Sequence, residues 1–408
     1  MSMKILNQSN NKEFPSIPYG KQFINDDDIE SVILVLKSDY LTQGPVVAKF
    51  EEKFAKYVGA KYAVVVSNGT AALHLSALAL GVNDNSKVIT TPITFAASAN
   101  CVRYCGGEVV FSDINSSTAT IDLIALRKLL KTSPKGTYQG IIPVDLAGYP
   151  INMEEVKKIA DEFGLWIIED ACHSPGGYFT DSNGVKQFCG NGNYADLTVF
   201  SFHPVKHITT GEGGMITTNN EDLYKKLLLL RTHGITKDPL FLKENHGGWY
   251  YEMQELGYNY RLPDILCALG ISQLERADEN IKKRKEIADT YDQAFENVEG
   301  IEIVSGTNKE LLNKGISHAY HLYIIRTKKR KELYNYLREH NIFVQVHYIP
   351  LNIMPYYKAL GHKKGDMPVA EEYYGECLSL PMYPSLKKEE QKFVIEKILY
   401  FIKFLNNN

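Results

Sequence analysis

Apolar and polar positions along the chain alternate between two rhythms, short unbroken apolar runs and apolar positions recurring every three to four residues. The short runs, at residues 62–67, 88–91, 108–112, 140–144, 165–169, 195–202 and 215–218, predict buried strands. Helical spacing over 70–80, 95–104 and 153–163 falls between them. That alternation predicts an α/β fold with a mainly parallel sheet covered by helices on both faces. Ahead of it, Asn25-Asp26-Asp27-Asp28 supplies a cap and an acidic first turn for a helix carrying Ile29, Val32, Ile33 and Leu36, and a second helix is expected over 46–57. Beyond it, one helical pattern over 263–295 leads to strands at 301–304, 320–326 and 343–347 and helices at 329–340 and 388–405. The expected organisation is a polar N-terminal arm over 1–20, a large domain over 21–262, and a linking helix with a smaller C-terminal α/β domain over 263–408.

Composition narrows the partners. The net charge of −3 gives no reason to expect nucleic acid or an anionic membrane surface, so selectivity has to come from local sites. No run of about 18 apolar residues and no charged start followed by an apolar stretch is present, which points to a cytoplasmic protein. The six cysteines lack CxxC spacing, so reduced thiols are expected rather than a zinc site or a disulfide framework. Cys101 and Cys105 share a helical face but make only two ligands, and His318, His321 and His347 would have to converge without an acidic partner. No metal site is expected. His318 and His321 read as structural.

Ligands of such sheets bind beyond the carboxyl ends of the strands, and four sets of residues stand there. Asn68-Gly69-Thr70 opens a helix, where free N–H groups and a hydroxyl favour a phosphate; an ordinary helix cap reads the same way. Phe95, in Thr91-Pro92-Ile93-Thr94-Phe95, presents an aromatic ring near that edge or packs in the core. Glu169-Asp170-Ala171-Cys172-His173 places two acids where a strand meets the pocket, of which strand alternation lets at most one face a ligand. Ser201 and Lys206 lie between two apolar strands, in a loop turned by Gly211, Gly213 and Gly214. A lysine held there can be desolvated, which disfavours its ammonium and frees an amine near neutral pH; taken alone, an ordinary loop lysine reads the same way. A phosphate cradle, an aromatic platform, a carboxylate and an amine are the four things pyridoxal 5'-phosphate needs.

In these motifs and their order the chain resembles the fold type I pyridoxal-phosphate enzymes, and among them the DegT family of sugar-nucleotide aminotransferases. Ser67-Asn68-Gly69-Thr70-Ala71-Ala72-Leu73 is similar to the family's phosphate loop, Glu169-Asp170-Ala171-Cys172-His173 to its ring-nitrogen motif, and Ser201 to Lys206 followed by Gly211-Glu212-Gly213-Gly214 to its lysine segment. The resemblance implies a three-layer, mainly parallel seven-stranded sheet and a transaminase. It implies Lys206 as the lysine that condenses with the cofactor, Asp170 on the ring nitrogen, Phe95 on the ring face, His173 near the ring hydroxyl, and Gly69, Thr70 and Ser201 at the phosphate. Gly257-Tyr258-Asn259-Tyr260-Arg261-Leu262 resembles the segment whose asparagine reaches the neighbouring subunit's cofactor, implying a homodimer with shared active sites. Tyr40-Leu41-Thr42-Gln43-Gly44 and Gln345-Val346-His347-Tyr348 most resemble family members of the pseudaminic acid pathway. These use L-glutamate to aminate C4 of a UDP-linked 4-keto-6-deoxy-N-acetylhexosamine; the expected sugar-side residues are Tyr40, Gln43, Arg261, His347 and Tyr348. The cofactor motifs do not separate this substrate from another nucleotide-linked keto sugar. The family's dehydratases carry histidine where Lys206 stands, and a non-catalytic scaffold would not need Lys206, Asp170 and Ser201 together. The stretch 237–255 is longer and more aromatic than the resemblance leads one to expect.

Overall fold

The seven apolar runs pair into one sheet in a computed structural model of the chain, which describes residues 16–406. Its strands are β1 (Tyr62–Val66), β2 (Lys87–Thr90), β3 (Glu108–Phe111), β4 (Gly140–Ile142), β5 (Trp166–Asp170), β6 (Leu197–Ser201) and β7 (Gly214–Thr218). The order across the sheet is β1-β7-β6-β5-β4-β2-β3. All neighbours run parallel except β7, which is antiparallel to both β1 and β6. This reversal lets the chain leave β6 and return on β7 through one loop at the carboxyl edge of the parallel strands.

Alternation along the strands separates the two faces. Val64, Val66, Leu197 and Val199 pack under helix Gly69–Ala79, whose buried positions surround its axis because it lies between the sheet and helices Ala97–Tyr104 and Glu221–Arg231. Ala63, Val65, Phe200 and Met215 point the other way, onto Phe50 and Phe54 of helix Pro45–Val58 and Cys267 of helix Asp264–Glu275. Farther along the sheet, Ile89, Ile141 and Ile167 meet Leu126 of helix Leu123–Thr132 and Val156 and Ile159 of helix Met153–Phe163.

A second core forms around the antiparallel sheet of Glu302–Ile303, Tyr323–Arg326 and Cys377–Leu380, against Tyr291, Phe295, Leu333, Leu337 and Ile398. Several expectations need correction here. The helical pattern over 263–295 is two helices, Asp264–Glu275 and Ala277–Phe295. The break falls at Arg276, whose guanidinium is drawn to the fully buried Asp28 on the first helix at 2.8 Å. The strand expected from 320 starts at Tyr323, since Tyr320 takes a left-handed backbone with φ of 50°. The strand expected over 343–347 is Ile342–Phe343 alone, and it pairs in parallel with Ile17–Pro18. The last part of the expected loose arm is therefore docked on the second core, while residues 1–15 lie outside the described residues. Helices Leu123–Thr132, Glu221–Arg231 and Pro368–Glu376 were not evident in the apolar pattern; the first two bury only two apolar residues each.

The opening of β7 sits directly on the loop after β1. A Cβ built on Gly214 would lie 2.5 Å from the Asn68 carbonyl oxygen and 2.9 Å from the Gly69 nitrogen, so backbone meets backbone there. Gly214→Ala is expected to force this loop away from the strand, destabilising the protein by about 1–3 kcal/mol in denaturant unfolding and weakening cofactor retention in the same preparation.

Candidate active site

The loop between β6 and β7 is closed by its own backbone. Phe202 N–H donates to Gly213 at 2.8 Å, Thr210 N–H to Phe202 at 3.0 Å, and Lys206 N–H to His203 at 2.9 Å. Phe202, His207 and Ile208 are buried and anchor it, which leaves Lys206 half-buried with its side chain against the carboxyl edge of β5. Burial pulls the Lys206 amine from an ordinary 10.5 down to about 8; nearby Cys172 and Asp170 oppose the shift, and the Arg284 cation adds to it. Lys206 Nζ has one hydrogen-bonding neighbour among the described residues, His321 Nε2 at 3.4 Å.

The two acids at the end of β5 face opposite ways. Glu169 turns to the helix-covered side, where Thr198 Oγ1 donates to it at 2.8 Å and Gly190 N–H at 3.2 Å. Asp170 turns to the pocket side, accepting from Ser98 Oγ at 2.6 Å and from Cys172 N–H at 3.2 Å, with Thr94 Oγ1 2.7 Å behind Ser98. Ser98 and Thr94 therefore aim the carboxylate. In the sequence Thr94 is only part of a loop, and Ser98, three residues after Phe95, carries no signal beyond that spacing. On the far side, Asp145, Glu169 and Cys189 bring their ligand atoms within 4.8 Å of one another, fully enclosed. Burial raises both carboxyls, with Asp145 repelling Glu169 and Asp170 repelling Asp145, so Asp145 and Glu169 favour sharing a proton.

His173 accepts from Ala147 N–H through Nδ1 at 3.2 Å, which leaves its hydrogen on Nε2, 3.5 Å from the Tyr348 hydroxyl. Burial and the positive Lys206 keep this imidazole well below its ordinary pKa. Phe95 precedes helix Ala97–Tyr104 instead of starting it, and its ring is 61% exposed, 6.4 Å from that of Tyr348. An aromatic left this open beside a polar cluster is not core. At the start of helix Gly69–Ala79, Asn68 accepts from Ala71 N–H at 2.8 Å, and a Cβ on Gly69 would come within 3.0 Å of Ser201 Cβ and 3.3 Å of its Oγ. A side chain at 69 would crowd the space between helix terminus and serine hydroxyl that the glycine leaves open to an anion. An anion cradle, an exposed ring, an oriented carboxylate and an amine of lowered pKa fit pyridoxal phosphate in chemistry and in order.

His347 is buried, with Nδ1 2.8 Å from Ser379 Oγ, and its pKa falls to about 3 through burial and the proximity of Lys206. Tyr348 joins the cluster, its hydroxyl 3.5 Å from His173 Nε2 and its ring 6.4 Å from that of Phe95, whereas the other sugar-side residues and Asn259, expected at the partner's phosphate, are not drawn in among the described residues. Tyr40, Gln43, Asn259 and Arg261 make no hydrogen bond, ion pair or ring contact with the lysine cluster, and Tyr40, Gln43 and Asn259 are exposed. The 40–44 loop is nevertheless fixed, because the fully buried Asp264 accepts from Gly44 N–H at 2.8 Å and Val46 N–H at 3.0 Å. Tyr260 C=O accepts from Ser67 N–H at 2.8 Å, which lays the 257–262 segment against the phosphate loop. The long 237–255 stretch folds back at Ile235–Thr236 and Glu252–Met253, exposing Leu240, Phe241, Trp249 and Tyr251. All six cysteines are free thiols, and no helix among the described residues is long and apolar enough to cross a membrane.

Fold and site together define a pyridoxal-phosphate-dependent enzyme of the α/β, mainly parallel-sheet kind. Residues 22–399 match the DegT/DnrJ/EryC1/StrS aminotransferase family, and the chain belongs to it. It is 37% identical over 382 residues to a UDP-4-amino-4,6-dideoxy-N-acetyl-beta-L-altrosamine transaminase of Campylobacter jejuni, covering 93% of this chain and 95% of that one. It is 32% identical to a GDP-perosamine synthase of Escherichia coli, covering 94% and 98%. Among solved structures, Helicobacter pylori PseC, an aminotransferase of pseudaminic acid biosynthesis, superposes with a TM-score of 0.83 at 31% identity, covering 95% of this chain and 99% of that one. The PLP form of a sugar aminotransferase from Streptococcus pneumoniae gives 0.84 at 27% identity, over 95% and 99%. The protein is a PLP-dependent sugar-nucleotide aminotransferase.

The depressed Lys206 pKa has a consequence for stability. An unfolded chain keeps this amine protonated up to about 10.5 and the folded chain only to about 8, so the unfolded state binds more protons between those values. The ammonium's cost is fully present below about 8 and disappears as pH rises to 10.5. Lys206→Met is expected to stabilise the cofactor-free protein by about 2–3 kcal/mol at neutral pH in urea unfolding, with the gain shrinking across that window. An equal gain at every pH would mean the lysine is not desolvated.

Proposed function

We propose that the enzyme moves an amino group from L-glutamate to C4 of a UDP-linked 4-keto-6-deoxy-N-acetylhexosamine, giving UDP-4-amino-4,6-dideoxy-N-acetyl-β-L-altrosamine for pseudaminic acid biosynthesis in the cytoplasm. The reading rests on an amine whose pKa burial lowers to about 8, beside an oriented carboxylate and a glycine–serine cradle. Its sugar assignment is supported by the similarity to the Campylobacter jejuni transaminase over nearly the full length of both chains.

Bound pyridoxal phosphate supplies an electron sink and carries the amino group between the two half-reactions. Gly69, Thr70 and Ser201 would hold its phosphate, Phe95 its ring face and His173 its hydroxyl, while Asp170, aimed by Ser98, would hold the proton on its ring nitrogen. Lys206 Nζ takes the proton from the α-carbon of glutamate in the first half-reaction and delivers a proton to C4 of the sugar in the second. An amine with a pKa near 8 suits both tasks, because it exchanges a proton close to neutral pH. Asn259 of the partner subunit would complete the phosphate site in a homodimer. Tyr40, Gln43, Arg261, His347 and Tyr348 would line the sugar side.

The purified protein should show a visible absorption band that glutamate bleaches and the UDP-keto sugar restores, and Lys206→Ala should keep the fold and lose turnover. A band that bleaches but returns only with a GDP-linked keto sugar would move the substrate toward that of the GDP-perosamine synthases. Normal turnover in Lys206→Ala would sink the assignment of the amine.

A further inference from the structure

His321, taken in the sequence as structural, is the residue the fold brings to Lys206, and it is held there tightly. The turn 319–322 that carries it is clamped from two sides. Ala319 N–H donates to Gly148 C=O at 2.8 Å and Leu322 N–H to Ala147 C=O at 3.1 Å, while the Ala319 carbonyl accepts from His207 Nε2 at 2.8 Å. From the second core, Arg284 of helix Ala277–Phe295, 1% exposed and without an ion pair among the described residues, donates from one nitrogen to the carbonyls of Tyr320, His321 and Met382 at 3.0–3.3 Å. The ring of His321 lies 4.2 Å from that of His173 and is buried.

Its two nitrogens differ. Nε2 faces Lys206 Nζ at 3.4 Å, and Nδ1 is buried with no partner. A buried N–H without a partner is rarer and costlier than a bare acceptor lone pair, so the hydrogen belongs on Nε2. The neighbouring imidazoles follow the same pattern. His207 must carry its hydrogen on Nε2 to reach a carbonyl, which leaves its Nδ1 as a bare acceptor, and His173 accepts through Nδ1. We propose that His321 is a positioning residue for Lys206, presenting Nε2–H to the lone pair of the amine and so selecting its uncharged form. An ammonium has no lone pair to offer this donor. The donor therefore weakens the hold of Lys206 on a proton.

The charged groups facing Lys206 are divided in sign, and Cys172 and Asp170 each outweigh Arg284. His321, His173, His207 and His347 are kept neutral by burial, Arg284 is a cation, and only Asp170 and Cys172 pull toward the ammonium. The inference rests on Lys206 as the amine of the proposed reaction, but its test needs neither cofactor nor sugar. Trace acetic anhydride labelling of the full, cofactor-free chain, read by peptide mass spectrometry across pH, gives the proton affinity of the Lys206 amine. His321→Leu, which keeps the site apolar and removes the donor, should raise that affinity roughly three- to tenfold, the worth of one hydrogen bond. His321→Gln, whose amide restores a donor, should stay near wild type. An unchanged or lowered affinity in folded His321→Leu overturns the proposal. Should the leucine variant not fold, ¹⁵N NMR of histidine-labelled wild type, assigned with His321→Gln, decides instead. Hydrogen on Nε2 above pH 8, where the Lys206 amine is mostly uncharged, supports the proposal and hydrogen on Nδ1 there overturns it. A wrong sugar leaves these readings untouched, and a wrong Lys206 shows as a missing visible band whatever His321 does.

Discussion

The desolvation of one ammonium group is the constraint around which this site is built. Lowering the Lys206 pKa from 10.5 to about 8 corresponds to about 3 kcal/mol of destabilisation at neutral pH, a large share of the 5–15 kcal/mol that holds a typical domain together. A flexible loop would relieve that cost by turning the amine to water. Here the loop cannot turn, because Phe202, Thr210 and Gly213 close it by backbone hydrogen bonds and Ile208 and His207 bury its shoulders. Rigidity of the β6–β7 connection is thus what keeps the amine reactive.

That connection exists because of the single strand reversal in the sheet. With β6 parallel to β5 and β7 antiparallel to both its neighbours, the return loop opens at the edge where β1 and β5 also end. The Gly69–Ser201 cradle follows from the same packing, since Gly214 at the start of β7 abuts the Asn68 carbonyl while Ser201 at the end of β6 abuts Gly69. Three strand ends therefore set the distances between amine, carboxylate and cradle.

The sequence made this much readable because strand-end residues announce themselves. A short apolar run stops, a polar residue follows, and the topology puts it at the edge of the pocket. Asp170 and Glu169 could not be told apart by type, but alternation said only one would face in, and Thr198 with Gly190 claims Glu169 for the covered side. What stayed hidden depends on contacts remote in sequence. Ser98 orients Asp170 from 72 residues away, and Asp264 fixes the 40–44 loop from 220 residues away. His321 lay in a stretch that reads as strand from its apolar residues. The left-handed turn at Tyr320, which aims His321 at Lys206, leaves no trace in hydrophobic periodicity.

Arg284 explains why that turn is not free to relax. A buried guanidinium without a carboxylate is costly to desolvate, and its three carbonyl partners recover part of that cost only while the backbone at Tyr320, His321 and Met382 stays in place. Moving the turn would strip hydrogen bonds from a charge that has no ion-pair partner among the described residues, so the cation enforces the geometry it sits under. Its field also acts on Lys206, lowering the same amine that the turn addresses. One residue on the helix of the second core thus fixes the turn beside the lysine and biases the lysine's charge. A neutral replacement could supply the packing or some of the hydrogen bonds, but not the positive potential.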